Sequence, residues 1–105
     1  KSILEYFIKE KIKVLSFSSF NLKNDYEIAK IDPNYLLKVL SNLEFKKADA
    51  IFVSCTALPI LEVISKLEKK INKTVISSNQ ALIWDTIRSV GCKSSIKGYG
   101  KLLRN

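Results

Sequence analysis

Apolar residues recur along the chain with two periods, and the switches between them outline a fold. Ile3, Leu4, Phe7 and Ile8 fall at helical spacing with Lys and Glu on the other face, so residues 2–11 are expected to form an amphipathic helix. Residues 12–17 read as a strand. The polar stretch 18–23 reads as a loop and 25–31 as a short helix. Asp32-Pro33 is a helix start, because Asp offers a capping oxygen and Pro fits the first helical position. Leu36, Leu37, Val39 and Leu40 carry that helix to about Leu43. Residues 48–54 are short and almost wholly apolar, as in a parallel strand buried on both faces. A helix is expected over 57–70, with Leu58, Leu61, Ile64 and Leu67 on its buried stripe and Pro59 in its first turn. Thr74 to Ser77 reads as a third strand. Ser78 or Asn79 is expected to cap a last helix that contains Leu82, Ile83, Trp84 and Ile87 and stops at Gly91. Strands alternating with helices give an α/β class: a three-layer sandwich with a small parallel sheet flanked by helices, forming one domain over 1–105.

Length and composition fit this picture. The 105 residues suit one small domain, 47% hydrophobic content supplies a core, and 27% charged content keeps it soluble. Three strands make a thin sheet, and the chain opens on Lys1 rather than Met, so the expectation is a piece of a longer polypeptide. No apolar run reaches the roughly 18 residues needed to span a bilayer, and the first residues lack a secretory pattern. Two cysteines without a bridging pattern agree with a reducing, cytoplasmic setting. The net charge of +8 comes almost entirely from lysines spread along the chain; Arg88 and Arg104 are the only arginines. Scarce arginine argues against a nucleic-acid partner, and nothing in the pattern calls for a membrane one.

The chemistry is bounded by what is missing. There is no histidine, so no Ser-His-Asp or Cys-His pair exists within the chain and zinc loses its commonest nitrogen ligand. Three glycines, Gly91, Gly98 and Gly100, form no phosphate-binding loop. Neither a metal nor an organic cofactor is therefore expected. In open α/β sheets ligands bind beyond the C-terminal strand ends. Three segments fall there, 18–24, 54–57 and 77–80, all rich in Ser, Thr and Asn. Cys55 ends a strand and precedes a helix, where free N–H groups and the helix dipole favour a thiolate; the alternative is a buried structural cysteine. Asn24 either offers its amide to a carboxylate or caps the helix at Asp25, its commoner use. Ser78 and Asn79 have the same two uses. Cys92 reads as an incidental loop thiol, and 98–100 as a surface turn.

Ala48-Asp49-Ala50-Ile51-Phe52-Val53-Ser54-Cys55-Thr56-Ala57-Leu58, followed by Val75-Ile76-Ser77-Ser78-Asn79-Gln80-Ala81 and Trp84, resembles the C-terminal half of maleate cis-trans isomerases. These belong to the aspartate/glutamate racemase superfamily with arylmalonate decarboxylases and hydantoin racemases. Asn24-Asp25-Tyr26-Glu27-Ile28 and Gly98-Tyr99-Gly100-Lys101-Leu102-Leu103 extend the likeness over most of the chain from about Val14. The resemblance implies two similar α/β halves with the active site between them, each commonly giving one cysteine. It implies that Cys55 is the catalytic cysteine of the second half and Asn24 a ligand of the substrate carboxylate. Thr56 and the backbone at Ala57 would help hold a small carboxylic-acid substrate. Ser78 and Asn79 complete the expected binding set. Cys92 matches no family position. The resemblance thus implies a cofactor-independent, cysteine-dependent isomerase or racemase that acts on a small dicarboxylate such as maleate through an enediolate and needs an N-terminal half or a homo-oligomer; the alternatives are an arylmalonate-type decarboxylase and a non-catalytic remnant or interaction module.

Overall fold

Two strands form the centre. β1 (Ala50–Val53) and β2 (Thr74–Ser77) run parallel, in register from Ala50 opposite Thr74 to Val53 opposite Ser77. A computed structural model describes residues 2–17, 24–43, 46–54 and 57–105. Its helices are α1 (Ser2–Lys9), α2 (Asp25–Ala29), α3 (Pro33–Ser41), α4 (Ile64–Ile71), α5 (Ser78–Ser89) and α6 (Lys101–Arg104).

Parallel neighbours cannot be joined by a hairpin, and the segment containing α4 supplies the crossover they need. Side chains alternate along a strand, so Ile51 and Val53 share a face with Val75 and Ser77. On that face Val53 and Val75 join Leu36 and Leu40 of α3 and Ile64, Leu67 and Ile71 of α4 in one buried cluster. Phe52 points to the other face, where the Phe7 ring of α1 meets it edge-on at 5.5 Å between centroids. Helices thus lie on both sides of a small parallel sheet, as the pattern predicts. α3 begins as its Asp32-Pro33 signal indicates, with the Asp32 carboxylate accepting the Asn34 N–H at 3.0 Å.

Two expectations are corrected, and one element is added. Residues 12–17 form no strand. They run exposed, and the sheet of the described residues holds β1 and β2 alone. A strand exists only where a neighbour takes its N–H and C=O groups. The helix expected from 57 begins instead at Ile64; before it the chain turns, with the Ile60 N–H on Leu58 O at 2.8 Å and the Val63 N–H on Ile60 O at 3.0 Å. Leu58, Ile60 and Val63 are all buried. They would not share one face of a helix, so turns bury them where a helix would not. The added element is the tail, for which the pattern predicts no element: it folds back as α6 and buries Leu103. Among the described residues no helix is long and apolar enough to cross a membrane. The loop expected at 18–23, together with Cys55 and Thr56, lies outside the described residues.

Candidate active site

Because β1 and β2 end in step, the residues that follow them leave the sheet side by side. Ser54 follows β1, and Ser78 follows Ser77 at the end of β2. Both line an open groove together with Phe52 and with Ile3, Tyr6 and Phe7 of α1. The groove therefore sits at the C-terminal edge of the sheet, where a parallel α/β fold places its ligands.

The corner between β2 and α5 is held tightly. The cap is Ser77, one residue before the expected Ser78 or Asn79. Its hydroxyl accepts the Gln80 N–H at 3.2 Å, while Gln80 Oε1 accepts the Ser77 N–H at 2.7 Å. Ser77-x-x-Gln80 is the sequence signature of this reciprocal cap. Both residues are fully buried. Gln80 Nε2 then donates to the Tyr99 carbonyl at 2.9 Å, so the stretch 98–100, read as a surface turn, is docked at Gly100.

The remaining site residues are placed as follows. Ser78 and Asn79 are half-buried in the first turn of α5, and Ser78 alone of the two lines the groove. Ala57 is half-buried in the turn after β1. Asn24 takes the capping role: its Oδ1 accepts the Glu27 N–H at 2.9 Å ahead of α2. The structure brings Ser78 together with Ser54, while Asn24 and Ala57 do not line the groove. The helix N-terminus at this edge belongs to α5, since α4 opens only at Ile64. The dipole expected to act beside Cys55 from a helix at 57 is thus not supplied by α4.

Cys92 lies past the opposite end of α5 and is exposed. The Ser94 backbone N–H and then the Ser94 hydroxyl hold its thiol below the usual range, aided least by the Arg88 guanidinium and opposed by partial desolvation. Among the described residues no three carboxylate or thiol side chains converge to hold a metal ion.

The arylmalonate decarboxylase family model matches residues 1–103. The chain belongs to the arylmalonate decarboxylase family. The chain is 26% identical over 102 residues to a maleate isomerase of Geobacillus stearothermophilus, covering 96% of this chain and 41% of that protein. It is 36% identical over 56 residues to the arylmalonate decarboxylase of Bordetella bronchiseptica, covering 52% of this chain and 23% of that one. The crystal structure of the maleate isomerase Iso from Pseudomonas putida S16 superimposes with a TM-score of 0.91 at 26% identity, covering 98% of this chain and 42% of that chain. The chain thus spans about two-fifths of the length of the maleate isomerases it matches.

Proposed function

We propose that residues 1–105 form a single α/β domain, the C-terminal half of a cofactor-independent, cysteine-dependent isomerase acting on a small dicarboxylate such as maleate. The observation that carries this reading is the pair of strand ends. Ser54 and Ser78 open into one groove, and Cys55 is the next residue in the chain after Ser54. The likeness to maleate isomerases over nearly the whole chain supports the substrate class.

In this reading the Cys55 thiolate adds to one alkene carbon of maleate. The electron pair moves to the neighbouring carbon and into its carboxylate as an enediolate. The former double bond rotates as a single bond. The pair then returns, the C–S bond breaks, and fumarate leaves with the thiolate restored. No proton or electron is gained or lost overall, so the reaction consumes no cofactor. Hydrogen-bond donors aimed at the carboxylates stabilise the charged intermediate. Ser78, Asn79 and the backbone at Thr56 and Ala57 are assigned that work. Asn24, which does not line the groove, is the carboxylate ligand the family likeness implies; the Glu27 N–H occupies its Oδ1 and leaves the Nδ2 hydrogens as the end able to donate. A reducing cytoplasm keeps such a thiol in its working state.

The test uses the complete polypeptide that contains this chain. Cys55→Ser is expected to lower maleate turnover by about 10³-fold or more, as loss of a nucleophile does. Unchanged turnover would remove Cys55 from the mechanism. A second reading, an arylmalonate-type decarboxylase, is favoured by the higher identity to the Bordetella bronchiseptica enzyme over 56 residues. There Cys55 would return a proton to the enediolate left by loss of CO2. Release of CO2 from an arylmalonate, with maleate left untouched, would decide for it.

A further inference from the structure

Gln80 is a fully buried amide whose three polar contacts join three parts of the chain. Its Oε1 and backbone N–H close on Ser77, the last residue of β2, and its Nε2 reaches the Tyr99 carbonyl. Tyr99 is fixed in turn by its successors. The Gly100 N–H donates to Ser65 Oγ at 3.1 Å and the Lys101 N–H to Glu68 Oε1 at 2.9 Å, both on α4. The other Glu68 oxygen accepts the Val75 N–H of β2 at 2.9 Å. Gly100 has a φ of +94°, and a Cβ there would lie 2.4 Å from Gln80 Nε2 and 2.5 Å from Ile64 Cγ2. Only glycine lets the tail approach this closely.

Reading the groove as the dicarboxylate site, we propose that Gln80 is a positioning residue for that site. The tail at 99–101 holds the Gln80 amide, Gln80 holds the backbone of Ser77, and Ser77 fixes the direction in which Ser78 enters the groove. An Oε1 that accepts from Ser77 and an Nε2 that donates to Tyr99 require an uncharged amide, or a carboxyl group that is protonated. A carboxylate at 80 keeps the Ser77 bond and sets a negative oxygen against the Tyr99 carbonyl.

The test compares wild type, Gln80→Met and Gln80→Glu in the complete polypeptide. It measures calorimetric binding of succinate, a dicarboxylate without an alkene to isomerise, and kcat and KM on maleate, between pH ~5 and ~8, the window in which a carboxyl raised above its ordinary range by full burial at this position titrates. Thermal unfolding of each variant is recorded alongside. Gln80→Met is expected to weaken succinate binding and raise KM about tenfold, the scale of one lost hydrogen bond, with a smaller change in kcat. Gln80→Glu is expected to match wild type at the acidic end and to approach the Met variant as pH rises. A folded Gln80→Met with wild-type affinity and KM, or a Gln80→Glu whose affinity ratio to wild type does not change with pH, overturns the positioning role and leaves Gln80 a clasp of the fold alone. Failure of the isomerase reading looks different: fumarate formation is then absent, or insensitive to Cys55→Ser, whatever the Gln80 variants do to succinate binding.

Discussion

Residues 12–17 and 74–77 are both rich in β-branched and apolar side chains, and they end in opposite environments. Thr74–Ser77 pairs with β1, buries Val75 and Ser77 completely, and hands the chain directly to α5. At 12–17 the side chains stay exposed, among them Ile12 at 51%, Leu15 at 50% and Phe17 at 62%. With Leu4 and Ile8 of α1, Ile12, Val14 and Phe17 line a second open, mainly apolar groove. The difference teaches that strand propensity is realised only beside a partner. β2 has one because α4 returns the chain to β1, whereas nothing among the described residues plays that part for 12–17.

Substitutions sharpen this contrast. The largest expected effect is at the packed end. Leu67→Ala should destabilise the chain by about 2–5 kcal/mol, since a fully buried leucine leaves a cavity. Leu15→Ala should change stability by less than about 0.5 kcal/mol, as exposed positions do. Urea unfolding of the two variants checks the pair, and equal costs would break the comparison. A smaller effect separates two glycines of the tail. Gly98 and Gly100 have nearly the same φ, +95° and +94°, yet only Gly100 has atoms against its missing Cβ. Gly98→Ala should cost about 1–2 kcal/mol for the left-handed backbone alone. Gly100→Ala should cost about 1–3 kcal/mol more for the forced repacking, read from thermal melts. The smallest effect concerns Cys92, whose reactive form is the thiolate. Because Ser94 and Arg88 hold its thiol below the usual range, alkylation followed by peptide mass spectrometry should reach half its maximal rate at a lower pH than for an unperturbed cysteine. Ser94→Ala removes the hydroxyl and leaves the backbone N–H, so it should move that midpoint only part of the way back up.

Much of the fold was legible because its signals are local. The run Thr74 to Ser77 is bounded by a turn on one side and a capping motif on the other, and the strand occupies those four residues. Asp32-Pro33 starts α3 by chemistry contained in two residues. What escaped the sequence depends on distant groups. The tail folds back because Glu68, Ser65 and Gln80, far earlier in the chain, receive it. The turns at 57–63 follow from burying Leu58, Ile60 and Val63 against α3 and β1, which outweighs the helical stripe read there. At the site, the serines at the strand ends were legible as a polar edge. The apolar contribution of Ile3, Tyr6 and Phe7 was not, because α1 meets Phe52 across the whole length of the intervening chain. The Ser77-x-x-Gln80 cap was open to reading from its spacing alone.

The bond from Gln80 to the Tyr99 carbonyl also sets an order of events during synthesis. A chain made from its N-terminus completes β1, α4, β2 and α5 before residue 99 exists. Over that interval the Tyr99 carbonyl is not there to accept from Gln80 Nε2, and the Ser77–Ser78 corner is held from one side only. On the positioning role proposed for Gln80, the groove at the sheet edge acquires its final shape only once residues 99–101 dock on α4. A stalled or clipped chain ending near residue 97 would already contain every strand of the described sheet, yet lack the contact that locks the corner in place.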